Sequence, residues 1–138
     1  MIIIDFMSLF SKNKKNKIKR QLDSSDSKLP SHTVSLSDKD FQEFIDKYPI
    51  SLIDFWAPWC APCKAMSKRI RRLSSMYKSK VAFGKIDIQK NKKTAKKYDI
   101  IGIPHLIFFS NGKKISSIHG LKSVGAIKKE IEELIKKI

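Results

Sequence analysis

The chain has 138 residues, of which 41% are hydrophobic and 30% charged, and it carries a formal net charge of +16. That length suits one domain and not two. The composition excludes a collagen-like, low-complexity or wholly disordered chain, and no apolar run reaches the ~18 residues of a membrane-spanning helix.

Residues 1–32 differ in character from the rest of the chain. Met1–Phe10 is mostly apolar, and Lys12–Arg20 then carries six basic residues in nine positions. Gln21–Ser31, with its Ser, Asp, Lys and Pro30, reads as a linker. The positive charge comes after the apolar stretch, the reverse of a secretory signal, so export is not expected and a cytoplasmic location is. The segment reads as a flexible basic extension ahead of a domain over residues 33–138. Three readings of it stay open. One is a loose tail, made longer if Met7 and not Met1 is the start. Another is a weak peripheral membrane contact through residues 1–20. The third and least favoured is nucleic-acid contact through the basic run.

From Thr33 the pattern is regular. Thr33–Leu36 is a short β-prone run. Ser37 is expected to start a helix, with Asp38 and Asp40 in its positively polarised first turn. Phe41, Phe44, Ile45 and Tyr48 fall on one helical face, and Pro49 ends the helix. Ile50–Trp56 is mostly apolar and reads as a strand buried on both faces.

A second helix opens at the cysteines, with Met66, Ile70, Leu73 and Tyr77 as its apolar stripe and Lys68, Arg69, Arg71 and Arg72 over much of the rest. Val81–Ile88 reads as a strand and Asn91–Tyr98 as a short basic helix. His105–Ser110 and Lys113–His119 read as a hairpin around Asn111-Gly112, where both turn positions favour positive φ. Ser123 is the expected N-cap of a last helix, with Ile127, Ile131, Leu134, Ile135 and Ile138 inward. The order β-α-β-α-β-α-β-β-α calls for a mixed sheet, part parallel and part antiparallel, covered by helices on both faces.

Cys60 and Cys63 are the chain's two cysteines. One C-x-x-C pair cannot complete a four-ligand zinc site within a single chain, so no metal is expected and a redox pair is the leading reading. At a strand-to-helix junction, Cys60 would meet the unpaired N–H groups of the helix start, which favour its thiolate. Pro62 is tolerated in the first turn. Asp54, set in an apolar strand, should be desolvated with its pKa raised, which makes it a candidate proton acceptor.

Trp56-Ala-Pro-Trp-Cys60-Ala-Pro-Cys63-Lys64 resembles the active-site motif of the thioredoxin family. Asp54-Phe55-Trp56 resembles the family's buried-Asp strand, and Phe83–Asp87 its central strand, with Lys85 in place of the lysine near that Asp. Gly102-Ile103-Pro104 resembles the loop that carries its cis-proline. Asn111-Gly112 and Gly120 fall where the family has its hairpin turn and a surface glycine beside the active site. The resemblance covers roughly residues 33–138.

It implies the thioredoxin fold and a protein disulfide reductase. Cys60 would be the nucleophile and Cys63 the resolving thiol, with Asp54 and Lys85 assisting. Trp59, Ile103, Pro104 and Gly120 would form the docking surface for disulfide-containing proteins. The chain would act as a monomer without a cofactor, taking electrons from a separate flavoprotein reductase, since it shows no dinucleotide fingerprint.

Two positions depart from the family's usual form. Ala61, beside Pro62 in the dipeptide that tunes redox potential, replaces Gly. His105 comes after Pro104 where Thr is common, and could either place a charge beside the cysteines near neutral pH or merely pack. The alternatives are a disulfide oxidase or isomerase on the same fold, or a redox-silent adaptor. The basic residues form no aromatic-interleaved stripe, so no specific nucleic acid is expected.

Overall fold

A computed structural model describes residues 29–138; the readings of residues 1–28 fall outside the described residues. The elements are β1 (Val34–Leu36), α1 (Phe41–Lys47), β2 (Ile50–Trp56), α2 (Ala61–Met76), β3 (Ala82–Asp87), α3 (Lys92–Lys97), β4 (His105–Ser110), β5 (Lys113–His119) and α4 (Val124–Lys137). The five strands form one sheet in the order β1-β3-β2-β4-β5. β3 runs parallel to both β1 and β2, and β4 runs antiparallel to β2 and β5. This is the mixed sheet that the element order calls for.

Alternation along the strands divides the apolar residues between two cores. Leu52, Phe83, Leu106 and Phe108 pack against Met66, Ile70 and Leu73 of α2, against Tyr77 at its C-cap, and against Ile127, Ile131 and Leu134 of α4. Ile53, Phe55, Ile107 and Phe109 face the other way, onto Phe41, Phe44 and Ile45 of α1 and, beside them, Tyr98 at the end of α3. β2 is central and buried along nearly its whole length, as its apolar sequence requires. Tyr77 Oη donates to the Glu132 carboxylate at 2.5 Å, and Ser116 Oγ donates to the Glu130 carboxylate at 2.6 Å; together they tie α4 to the end of α2 and to β5.

The first helix departs from expectation. Ser37–Asp40 forms a turn, and α1 begins only at Phe41. Both acids have other partners. The Asp38 carboxylate accepts from the Thr94 backbone N–H at 2.9 Å and from Thr94 Oγ1 at 2.7 Å, and so tethers the turn to α3. The Asp40 carboxylate reaches back to the Ser37 N–H at 2.6 Å. These bonds satisfy backbone donors outside the helix, a use of Asp that competes with helix capping. The hairpin turn is as expected, with Asn111 at φ 50° and Gly112 at φ 83°.

Candidate active site

β2 delivers two of the site residues by its alternation. Leu52 points to the α2 side, so Asp54 and Trp56 do too. Beyond Trp56 the chain turns through Ala57–Trp59, and the Cys60 N–H donates to the Ala57 carbonyl at 3.2 Å. Cys60 is the N-cap of α2, and its Sγ accepts from the Cys63 N–H at 3.2 Å. That places its sulfur among the unpaired donors of the helix start, where negative charge is stabilised. Cys60 and Cys63 are joined as a disulfide with Cα atoms 5.2 Å apart. Both are buried, whereas Ala61 and Pro62 between them are exposed, and so is Trp59 at 65%.

The same edge of the sheet carries the other predicted contact residues. β2 and β4 pair with Phe55 opposite His105, and β4 and β5 with His105 opposite His119. Trp56, Pro104 and Gly120 therefore stand side by side, each one residue beyond those pairs. The Ile103–Pro104 peptide is cis, and Gly120 has φ 80°. The Gly120 N–H donates to the Pro104 carbonyl at 2.9 Å. A left-handed φ at Gly120 suits a residue without Cβ.

Asp54 lies directly behind this edge. It is 1% exposed, and its Oδ1 has no hydrogen-bond partner among the described residues. Burial pushes its carboxyl up to about 7, with the positive charge of Lys85 opposing. Lys85 is its partner in the β2–β3 register. The two line a cavity of about 150 Å³ under α2, together with Ser67, Ile70 and Arg71. Lys85, Ser67 and Arg71 also line a second cavity of about 320 Å³ that reaches Cys63 and Trp56. The Lys85 ammonium sits 5.6 Å from the centre of the Trp56 ring. A proton acceptor and the inner cysteine thus border adjoining spaces that share a wall.

His105 does not act as a charge here. It points with Ile107 and Phe109 to the α1 side, away from Asp54. Its ring packs 4.1 Å from that of His119 and 6.2 Å from that of Phe55. Burial, then the charges of His119 and Lys114, lower its pKa to about 4. It is neutral near pH 7 and packs, the second of the two readings the sequence allows. The lining residues Ser67 and Arg71 carry no role in the sequence reading, and Trp56 enters it only as part of the motifs that resemble the family's site. The signal for Ser67 and Arg71 is their helical spacing from Cys63, which puts the three on one face of α2. Among the described residues, no group of three or more His, Cys, Asp or Glu side chains comes together as a metal site.

A vicinal cysteine pair that caps a helix, beside a cis-proline loop and in front of a buried carboxyl, defines a thiol–disulfide oxidoreductase. The thioredoxin family model matches residues 32–133. Thioredoxin from Staphylococcus aureus is 35% identical over 89 residues, which is 64% of this chain and 85% of that protein. Among solved structures, an N21Q mutant thioredoxin from Halobacterium salinarum superposes with a TM-score of 0.72 at 26% identity, covering 76% of this chain and 92% of that one. A chain from a structural study of thiol resolution in yeast mitochondrial 1-Cys peroxiredoxin superposes with a TM-score of 0.68 at 27% identity, covering 73% and 94%. The chain belongs to the thioredoxin family, and its activity is protein disulfide reduction by thiol–disulfide exchange.

Proposed function

We propose that Cys60 is the attacking thiol and that Asp54 serves Cys63. The Cys60 thiolate attacks one sulfur of a substrate disulfide, forming a mixed disulfide and expelling the other substrate sulfur as a thiolate that takes a proton from solvent. Cys63 then gives its proton to Asp54, through the space bordered by Lys85, and attacks the Cys60 sulfur. The second substrate thiolate leaves. Two electrons pass from the dithiol to the substrate, and the protein is left with the Cys60–Cys63 disulfide. Trp59, Ile103, Pro104 and Gly120 receive the substrate chain, and Ala61 and Pro62 set the redox poise between the cysteines.

The observation that carries this reading is the buried, unpartnered Asp54 carboxyl near neutral pKa behind a helix-capping cysteine. An acceptor poised near the working pH is what a proton relay needs.

The same reading extends to the finer features. The protein works as a monomer in a reducing, cytoplasmic setting, needs no cofactor beyond its dithiol, and is recharged by a separate flavoprotein reductase of the thioredoxin-reductase type. Any membrane contact is weak and runs through residues 1–20. The decisive measurement is the reduction potential of the Cys60–Cys63 pair in graded thiol–disulfide buffers, near the roughly −270 mV of a reductant and not the roughly −120 mV of a strong oxidant. Cys60→Ser should abolish turnover, and Cys63→Ser should accumulate mixed disulfides visible by mass spectrometry. Turnover by Cys60→Ser would refute the assignment.

A further inference from the structure

The 320 Å³ cavity beside Cys63 has more in it than proton transfer requires. Lys64, Lys68 and Arg71 come from one side of α2, at spacings that stack them along a single face. Lys85 reaches in from β3 and lies over the Trp56 ring. The side chains of Lys64, Lys68 and Arg71 have no ion-pair or hydrogen-bond partner among the described residues. Among those residues, Asp54 is the one acid lining either cavity, and burial favours its neutral form. Four cations therefore converge beside the resolving cysteine, with the single buried acid Asp54 to offset them. Like charges held together this way repel one another and favour an incoming anion.

From this we infer that the cavity is a recognition site for acidic side chains of the protein substrate, so that disulfides flanked by Asp or Glu are reduced preferentially. This rests on the disulfide-reductase reading and names its substrate class. Three features select a carboxylate on a docked chain. The cavity is continuous with Cys63 and Trp56, so a chain whose cysteine is bonded to Cys60 passes close to it. Its volume lies at the low end for ligand pockets and suits one or two side chains better than a whole cofactor. Its cations are one planar guanidinium, which pairs with a carboxylate through two parallel bonds, and three ammonium groups on long stems that adapt to a mobile partner. Such pairs act before the sulfur chemistry. The preference should therefore appear mainly in KM and in the association rate, and should weaken with salt.

The test uses the full chain and two synthetic disulfide peptides, identical except that Glu in one is replaced by Gln in the other at the positions flanking the cysteine. At low ionic strength, the Glu peptide should be reduced with kcat/KM about tenfold above the Gln peptide. In K68Q/R71Q that ratio should fall toward unity. In K128Q/K129Q, which removes the same charge from exposed positions of α4 outside the cavity, it should persist. In K68E/R71E the preference should reverse toward a Lys-flanked peptide, a gain that misfolding cannot produce. Equal reduction of the Glu and Gln peptides overturns the inference while leaving the reductase reading standing. A preference lost equally in K128Q/K129Q overturns it in favour of general attraction to a basic protein. Reduction of neither peptide overturns the reductase reading and this inference with it.

Discussion

Asp54 of β2 and Lys85 of β3 are partners in the parallel register, on the face that α2 covers. The ammonium favours the carboxylate, but burial dominates and leaves the group with a pKa of about 7. The pair is thus an electrostatic compromise behind the cysteines. Its consequences are measurable in rate and in stability.

Asp54→Asn should slow the resolving step on the order of 10²-fold near pH 7, the usual worth of a positioned general base. The readout is release of the second thiol from a preformed Cys60 mixed disulfide, monitored by stopped flow. The deficit should shrink above about pH 9, where an ordinary thiol ionises without help. A constant deficit at all pH values would mean that Asp54 shapes the site and does not move the proton.

Asp54 and His105 should make opposite contributions to the pH dependence of folding. Between about pH 4 and 7 the native Asp54 retains a proton that the unfolded chain has lost, so its contribution to stability falls as pH rises. Between about pH 6.5 and 4 the unfolded chain protonates His105 while the native fold keeps it neutral, so its contribution falls as pH drops. In the shared window the two slopes oppose each other. Asp54→Asn should make acidification more destabilising, and at pH 8 should raise stability by something on the order of 3 kcal/mol. His105→Leu should make acidification from pH 6.5 to 4 stabilising relative to the unaltered chain. Urea unfolding across that range reads both, and parallel curves for all three proteins would refute both assignments.

At Gly84 of β3, side chains from two strands and a helix close on the backbone. A Cβ there would lie 2.7 Å from Leu36 Cδ1, 3.0 Å from Ile53 Cδ1 and 3.3 Å from Phe44 Cε1. Leu36 and Phe44 are buried in the same core and have little room to yield. Gly84→Ala should cost about 1–2 kcal/mol by overpacking, read as a fall in the urea midpoint with an unchanged m value. The cysteine potential should not move, because this core lies on the face opposite Asp54.

Thr94→Val should loosen the tether between the Ser37–Asp40 turn and α3. It deletes the 2.7 Å hydroxyl bond to the Asp38 carboxylate and leaves the backbone bond in place. Burial pushes the Asp38 carboxyl up, but the bonds from Thr94 outweigh it and hold the pKa below the usual 3.8. A carboxylate lowered in this way stabilises the fold above its unfolded pKa and loses that contribution as pH falls. The variant should therefore cost about 1 kcal/mol at pH 7 and converge with the parent as pH falls below the usual carboxylate range, as measured by chemical denaturation.

Much of this protein is legible in one dimension because the signals are local. Strands β2, β4 and β5 emerge directly from apolar runs and the Asn111-Gly112 turn. The inward stripes of α2 and α4 emerge from helical spacing, except that Ile138, expected inward, lies at the C-cap of α4 and is 61% exposed; Ser123 caps α4 by accepting from the Ala126 N–H at 3.1 Å. The burial of Asp54 is visible because Ile53 and Phe55 surround it with apolar neighbours in sequence. The true start of α1 is not legible, because the partner of Asp38 is Thr94, 56 residues away, and local capping chemistry cannot reveal that contact.

The sequence by itself determined the order of elements, the redox pair and the buried acid, since each is written in residues close together along the chain. Only the tertiary structure decided which side of the sheet each strand residue faces and what stands opposite it. It turned His105 away from Asp54 and packed it, neutral, against His119. It also gathered Lys64, Lys68, Arg71 and Lys85 around one space beside Cys63. Strand register and helix placement carry that information, because they bring together charges and cavities that lie far apart in sequence.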